Sequence, residues 1–158
     1  MITILALCTG NASRSILAEA ILNRDGGGRV RAFSAGSNPA GVVARATLDC
    51  LAARGLPVGG LRSKGWAEFA GPGAPPLDIV LTLCPAVAAE LPPTWPGRPV
   101  AVDWPMDEPL AATPGERALA FALAYHRLSA RINAALALPL ERLARDELAE
   151  RLGAIGRG

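Results

Sequence analysis

The sequence predicts an α/β fold, a three-layer domain in which a mostly parallel sheet of about four strands is flanked by helices. Three observations lead there. The runs Ile2 to Leu7 and Leu77 to Leu83 are nearly continuously apolar, as strands buried on both faces are. Segments of helical periodicity alternate with such runs, and Gly or Pro clusters such as Asp25-Gly26-Gly27-Gly28 and Gly71-Pro72-Gly73-Ala74-Pro75-Pro76 mark the breaks. Alternation of this kind implies right-handed crossovers, with ligands bound beyond the carboxyl ends of the strands.

Taken in order, Ile2 to Leu7 is the first strand. From Ser15 onward Ile16, Leu17, Ala20 and Ile21 recur at helical spacing, until the three glycines at 26–28 stop the helix. Arg29 to Phe33 is a second short strand ending at Ser34-Ala35-Gly36. Val43 to Arg54 is a second helix, with Ala46, Leu48, Leu51 and Ala52 apolar and Gly55 just past its end. Leu77 to Leu83 is the third strand and Arg98 to Val102 a weaker fourth. The Pro- and Asp-rich stretch Asp103 to Pro114 is a loop. Gly115 to Leu138 is a long helix on which Leu119, Leu123, His126 and Ala130 share a face. Pro139 breaks it, and Leu140 to Leu152 is expected as a last helix before a frayed, Gly-rich tail. With no repeat and no linker, residues 1–158 are expected to form a single domain.

Composition excludes several function classes. A chain of 158 residues, 51% hydrophobic and 19% charged, can bury a core without staples and is not disordered. Its net charge is +2, and 15 Arg and the single Lys64 are scattered, which argues against nucleic acid as a partner. No stretch approaches the ~20 apolar residues of a membrane span, and the apolar start lacks a charged region and a cleavage site. A cytoplasmic monomer is expected. Cys8, Cys50 and Cys84 match no zinc motif in their spacing, so no metal site is expected, and in a reducing compartment such thiols are buried, catalytic or redox-active.

The chemistry concentrates in Cys8-Thr9-Gly10-Asn11-Ala12-Ser13-Arg14-Ser15. A strand delivers Cys8 to the rim of the sheet, small and polar residues follow, and Arg14-Ser15 opens a helix. Successive backbone N–H groups in a tight loop form a concave nest, and the helix end adds its positive dipole. Arg14 can hold two oxygens with its planar fork, so a tetrahedral oxyanion fits. The field that binds an anion also suits a thiolate nucleophile at Cys8. Ser15 is placed to donate to that sulfur, and Asn11 to pin the loop. The Gly-Lys-Ser/Thr ending of a nucleotide P-loop is missing, which argues against an ATPase.

This segment resembles the signature of the low-molecular-weight protein tyrosine phosphatase family and is most similar to its arsenate reductase branch. Phe33 to Ser37, Gly60 to Trp66 with Glu68-Phe69, Asp78 to Cys84, Trp95-Pro96-Gly97, Asp103-Trp104 and Leu136 to Leu140 extend the likeness over nearly the whole chain. The resemblance implies a four-stranded parallel sheet, a nucleophile at Cys8, oxyanion binding by residues 9–15 with Arg14, and an acid on a later Asp-Pro loop. Here Glu108-Pro109 stands where Asp-Pro is expected, with Asp107 as a rival acid or either carboxylate merely solvated. Leu110-Ala111 replaces the Tyr pair of the phosphotyrosine-directed branch, which disfavours phosphotyrosine as substrate.

The same resemblance implies a second redox cysteine at Cys84, whereas Pro92 stands at the position of a third. An external reductant would then be required: thioredoxin, glutaredoxin, or a low-molecular-weight thiol such as glutathione or mycothiol. Cys50, among Leu48 and Leu51, is expected to be a core thiol, and His126 to be non-catalytic. Trp66, Trp95 and Trp104 are expected to wall the pocket or to pack. Asn11, Glu19 and Ser34 match positions that hold a potassium ion in some arsenate reductases, without a fourth ligand. Three functions remain open at this point: an arsenate reductase, a phosphomonoester hydrolase working through a cysteinyl-phosphate, and a phosphocarrier or oxyanion-binding module.

Overall fold

The computed structural model describes residues 1–90 and 92–158, so that Leu91, beside Pro92, lies outside the described residues. Four parallel strands, β1 (Ile2–Cys8), β2 (Val30–Gly36), β3 (Ile79–Thr82) and β4 (Val100–Asp103), lie in the order β2-β1-β3-β4. Five helices connect or follow them: α1 (Arg14–Asp25), α2 (Arg45–Ala52), α3 (Pro85–Ala88), α4 (Arg117–Leu136) and α5 (Arg145–Arg157). β1 is central. It pairs residue by residue with β2 from Ile2 opposite Val30 to Cys8 opposite Gly36, and with β3 from Ile4 opposite Ile79 to Leu7 opposite Thr82.

Its central place explains the unbroken apolar run, because both faces of β1 are covered. Ile2, Ile4 and Ala6 point into the larger core, with Ile16, Leu17 and Ile21 of α1, Leu51 of α2, Phe121, Leu128 and Ile132 of α4, and Leu148 and Leu152 of α5. Leu5 and Leu7 point the other way, onto Val80, Leu77, Val87 and Phe69. The two outer layers are therefore unequal. The long helices fill one face, and α3 with a short 3₁₀ turn at Trp66–Phe69 covers the other. Neither short element has enough turns to leave a periodicity in the sequence.

Two expectations, on β2 and on the last helix, need correction, and the shared face of α4 finds its place. β2 runs on through Ser34-Ala35 to Gly36, because it stays paired with β1 as far as Cys8. On α4, Leu119 and Leu123 are 64% and 61% exposed and His126 and Ala130 are exposed as well, so the face they share is the outer one. The buried face carries Phe121, Ala124, Leu128, Ile132 and Ala135. Both stripes of this Ala- and Leu-rich helix are apolar, and only packing separates them. The last helix starts at Arg145 instead of Leu140, with Asp146 and Glu147 in its first turn, where the helix dipole favours acids. It also continues to Arg157, because Gly156 packs where a Cβ would lie 2.4 Å from the Asp103 carbonyl oxygen. The tail is a close helix-to-strand contact, not a frayed end. Among the described residues, no helix is long and apolar enough to cross a membrane.

Gly36 is the point where the sheet meets the loop after β1. A Cβ there would lie 2.4 Å from the Thr9 carbonyl oxygen and 3.0 Å from the Asn11 nitrogen, both backbone atoms that cannot swing aside. Gly36→Ala is expected to lower stability by about 1–3 kcal/mol, read from the midpoint of urea unfolding. An unchanged midpoint would show that the loop is free to shift.

Candidate active site

β1 ends at Cys8 and α1 begins at Arg14, so the loop between them has its carbonyls tied from outside. The carbonyl of Thr9 accepts from Asn38 N–H at 3.0 Å, that of Gly10 from Ala40 N–H at 2.9 Å and Ser63 Oγ at 3.2 Å, and that of Ala12 from Ala44 N–H at 3.1 Å and Thr47 Oγ1 at 2.7 Å. Among the described residues, no backbone N–H from Gly10 to Ile16 donates within the protein. These donors at the head of α1 form the nest expected for an anion.

Asn11 links the loop to the residues around Cys8. It is fully buried, in a left-handed backbone conformation at φ 47° that asparagine tolerates better than most residues. Its Oδ1 accepts the backbone N–H of Lys64 at 2.9 Å, and because an N–H can only donate, the amide is oriented. Nδ2 therefore donates to Ser15 Oγ at 2.8 Å and Ser34 Oγ at 3.0 Å. Ser34 gives its proton to Glu19 Oε1 at 2.6 Å. Ser15 Oγ lies 2.8 Å from Cys8 Sγ, a buried hydrogen bond in which either atom can be the donor, so the hydroxyl is placed to donate to the sulfur when it is a thiolate.

Lys64 is the participant that sequence reasoning missed. It is only 7% exposed, and its Nζ lies 3.0 Å from the Arg62 carbonyl, 3.3 Å from Ser34 Oγ and 3.4 Å from Glu19 Oε1. Burial pushes its pKa down against the pull of Glu19. Its signal in the sequence is that it is the only lysine beside 15 arginines. The geometry does not fit a potassium ion at Asn11, Glu19 and Ser34. Asn11 turns its NH2 group, not its oxygen, toward Ser34, and the ammonium already lies against the Ser34 and Glu19 oxygens. No group of three or more metal-binding side chains occurs among the described residues.

The later loop places Glu108 on the rim of the nest. Glu108 Oε1 accepts from Ser13 Oγ at 2.5 Å and from Leu110 N–H at 3.3 Å, so it caps the short turn Pro109–Ala111. Its Oε2 lies 2.7 Å from Arg14 Nε, an ion pair in which the N–H is not aimed along the line of contact. Arg14 Nη1 donates to the Met106 carbonyl at 3.1 Å. Asp107 is exposed and bonds to nothing among the described residues. Cys84, at the head of α3, is buried, with its sulfur 3.5 Å from Thr9 Oγ1. Burial alone would raise its pKa, but hydrogen bonds from Thr9 and Val87 and the charge of Arg14 outweigh it, and the net shift is downward.

The remaining candidates stand apart. Cys50 is buried against the Phe121 carbonyl with its pKa raised by burial, as a core thiol. His126 lines a cleft of about 810 Å³ along α4 that includes Glu108 but none of residues 8–15. Trp66 and Trp95 pack edge to face at 6.1 Å, and Trp104 is buried with its Nε1 donating to the Leu152 carbonyl at 2.8 Å. Pro92 is exposed.

The pattern of the low molecular weight phosphotyrosine protein phosphatase family matches residues 3–147, and the chain belongs to that family. Its fold is similar to that of an arsenate reductase in the phosphate binding state, at TM-score 0.69 and 22% identity over 87% of this chain and 98% of that one. It is also similar to an arsenate reductase from Archaeoglobus fulgidus, at TM-score 0.63 and 24% identity over 82% and 98%. A low molecular weight protein tyrosine phosphatase from T. tengcongensis aligns at TM-score 0.65 and 21% identity over 84% and 96%. No curated protein sequence matches significantly.

Asn11→Ala removes three side-chain hydrogen bonds at once and leaves buried hydroxyls short of a donor. The expected loss is on the order of 2–3 kcal/mol in chemical unfolding. A loss below 1 kcal/mol (~0.5) would show that the network contributes little to the loop.

Proposed function

We propose that the protein is an arsenate reductase in which Cys8 is the nucleophile and an external thiol closes the cycle. The observation that carries this reading is Cys84. A second thiol lies against Thr9, the neighbour of Cys8, with its pKa moved toward the thiolate form. Phosphate ester hydrolysis has no step for it.

In this reading Gly10 to Ser15 and Arg14 hold the oxyanion, and the Cys8 sulfur attacks arsenic. An S–As bond forms, and one As–O bond breaks as water leaves with a proton from Glu108. Glu108 is preferred to Asp107 because it sits on Ser13 and Arg14 while Asp107 is exposed. The Cys84 thiolate then attacks Cys8 Sγ. The S–As bond breaks with its electron pair on arsenic, which leaves reduced as arsenite, and the two sulfurs are oxidised to a disulfide. An outside dithiol such as thioredoxin or glutaredoxin, or two molecules of a small thiol, reduces that disulfide, because Pro92 stands where an internal third thiol would be.

The second reading keeps the loop and ends differently. Cys8 takes a phosphoryl group from a small phosphate monoester, and water helped by Glu108 releases it. The family to which the chain belongs is named for such hydrolysis.

Two experiments separate the readings. Cys84→Ser is expected to abolish arsenate reduction with any thiol donor and to leave aryl phosphate hydrolysis unchanged; retained reduction would show that an outside thiol attacks the arsenic adduct directly. A wild type that hydrolyses phosphate monoesters but reduces no arsenate would establish the phosphatase. Arg14→Lys keeps the charge and loses the fork, and is expected to lower kcat roughly 10²-fold or more. Equal kinetics would remove Arg14 from the chemistry.

A further inference from the structure

The segment that leads into Glu108 is held from a direction the site itself does not use. Arg131, on the buried face of α4 and 9% exposed, donates from Nη1 to the Pro105 carbonyl and from Nη2 to the Gly156 carbonyl, both at 3.1 Å. The next carbonyl along the loop, that of Met106, accepts from Arg14 at 3.1 Å. Two successive carbonyls, two and three residues before Glu108, are therefore gripped by two arginines, one from the anion loop and one from α4. Behind Arg131 stands the end of α5. Gly156 packs on Asp103 and Trp104, and the Trp104 ring donates to the Leu152 carbonyl at 2.8 Å. Met106 N–H is anchored to the Leu83 carbonyl at 3.1 Å, so the loop is fixed at its start.

Most of α5 lies past residue 147, where the family match ends. The turn at Gly156 that shares Arg131 with the loop therefore lies beyond the matched segment. A buried guanidinium is costly to keep unless its donors are used. Burial and the charge of Arg127 push the Arg131 pKa down, and its Nε has no partner among the described residues. An apolar residue would fill the space at less cost. What the arginine alone supplies is a planar pair of donors that reaches the acidic loop and the last turn of α5 together.

We infer that Arg131 is a positioning residue which, with the C-terminal turn of α5 at Gly156, holds the loop so that Glu108 faces the anion nest. The inference rests on the reading of Glu108 as the acid. Arg131 touches no reacting atom. It acts on the loop backbone, and with Pro105 released the backbone leading to Glu108 keeps only the anchors at Met106, while the Glu108 carboxylate itself rests on Ser13 and Arg14 of the anion loop.

The test is a double-mutant cycle on full-length protein, read on whichever turnover the wild type performs, arsenate reduction or aryl phosphate hydrolysis. Arg131→Leu is expected to lower kcat roughly 10²-fold with KM little changed, since displacing a reacting group by an ångström costs about that much. Glu108→Gln is expected to lower kcat at least as far. The double variant is expected to match Glu108→Gln alone within about twofold, and Arg131→Lys, which keeps the charge but loses the planar pair of donors, to recover little of the loss. Gly156→Ala, which needs no change at Arg131 and forces the last turn of α5 away from Asp103 and Trp104, is expected to act in the same direction. Circular dichroism confirms that each variant is folded; should Arg131→Leu not fold, the cycle is run with Gly156→Ala. Additive losses in the double variant, or a raised KM with kcat intact, would overturn the inference. A silent Glu108→Gln would overturn the acid reading itself, and the inference with it.

Discussion

Asn11 accepts one backbone N–H from Lys64 and donates two hydrogen bonds, and that asymmetry organises the site. Because Lys64 N–H cannot accept, the amide cannot be reversed, and the Ser15 and Ser34 hydroxyls both accept from it. Ser34 then donates to Glu19, and Ser15 Oγ lies in hydrogen-bond contact with the Cys8 sulfur. The same residue accepts a left-handed backbone, which turns the chain sharply between β1 and α1. Its neighbours Thr9, Gly10 and Ala12 then direct their carbonyls to the segment after β2 and into α2. A loop with its carbonyls held outward leaves its N–H groups turned inward, and the buried amide fixes the bend from which both the cysteine and the cradle are presented.

Charge is distributed around this amide in two layers. Lys64 and Glu19 form a buried pair behind the loop, joined to it through Ser34, and they bring no net charge to the nest. In front, Arg14 is paired with Glu108 at 2.7 Å on the rim of the nest. In the proposed reading the oxyanion meets this guanidinium beside Glu108, which would bring a carboxyl group near the leaving oxygen. Cys84 approaches from the head of α3 through Thr9, so that Thr9 stands between the two thiols that the reductase reading couples.

The sheet, its parallel sense and the loop that carries Cys8 were legible because they rest on patterns a single chain displays: an apolar run with no alternation, small residues after it, and helical spacing from Ser15. The Ser15 contact to Cys8 and the anchoring role of Asn11 were legible for the same reason, being local to one turn. What was hidden depends on packing between distant segments. Lys64 reaches Glu19 and Ser34 from 45 and 30 residues away, and nothing local marks a lysine as buried. On α4 the exposed Leu119 and Leu123 are as apolar as the buried stripe, so composition cannot tell them apart. Gly153 and Gly156 have the composition of a fraying tail, yet Gly156 is there because the helix backbone lies against β4 and Trp104. The choice between Glu108 and Asp107 also waited for three dimensions, since neighbours in sequence point to different surroundings.

The pairing of Cys8 with Cys84 is the most exposed part of this account, and a single turnover addresses it. Reduced protein is mixed with arsenate in the absence of any thiol donor, quenched by acid alkylation, and digested for mass spectrometry. The account predicts arsenite released in a one-to-one ratio with protein and a disulfide-linked peptide pair containing Cys8 and Cys84, with Cys50 alkylated as a free thiol. Arsenite formed without that linked pair, or a pair that involves Cys50, would contradict it.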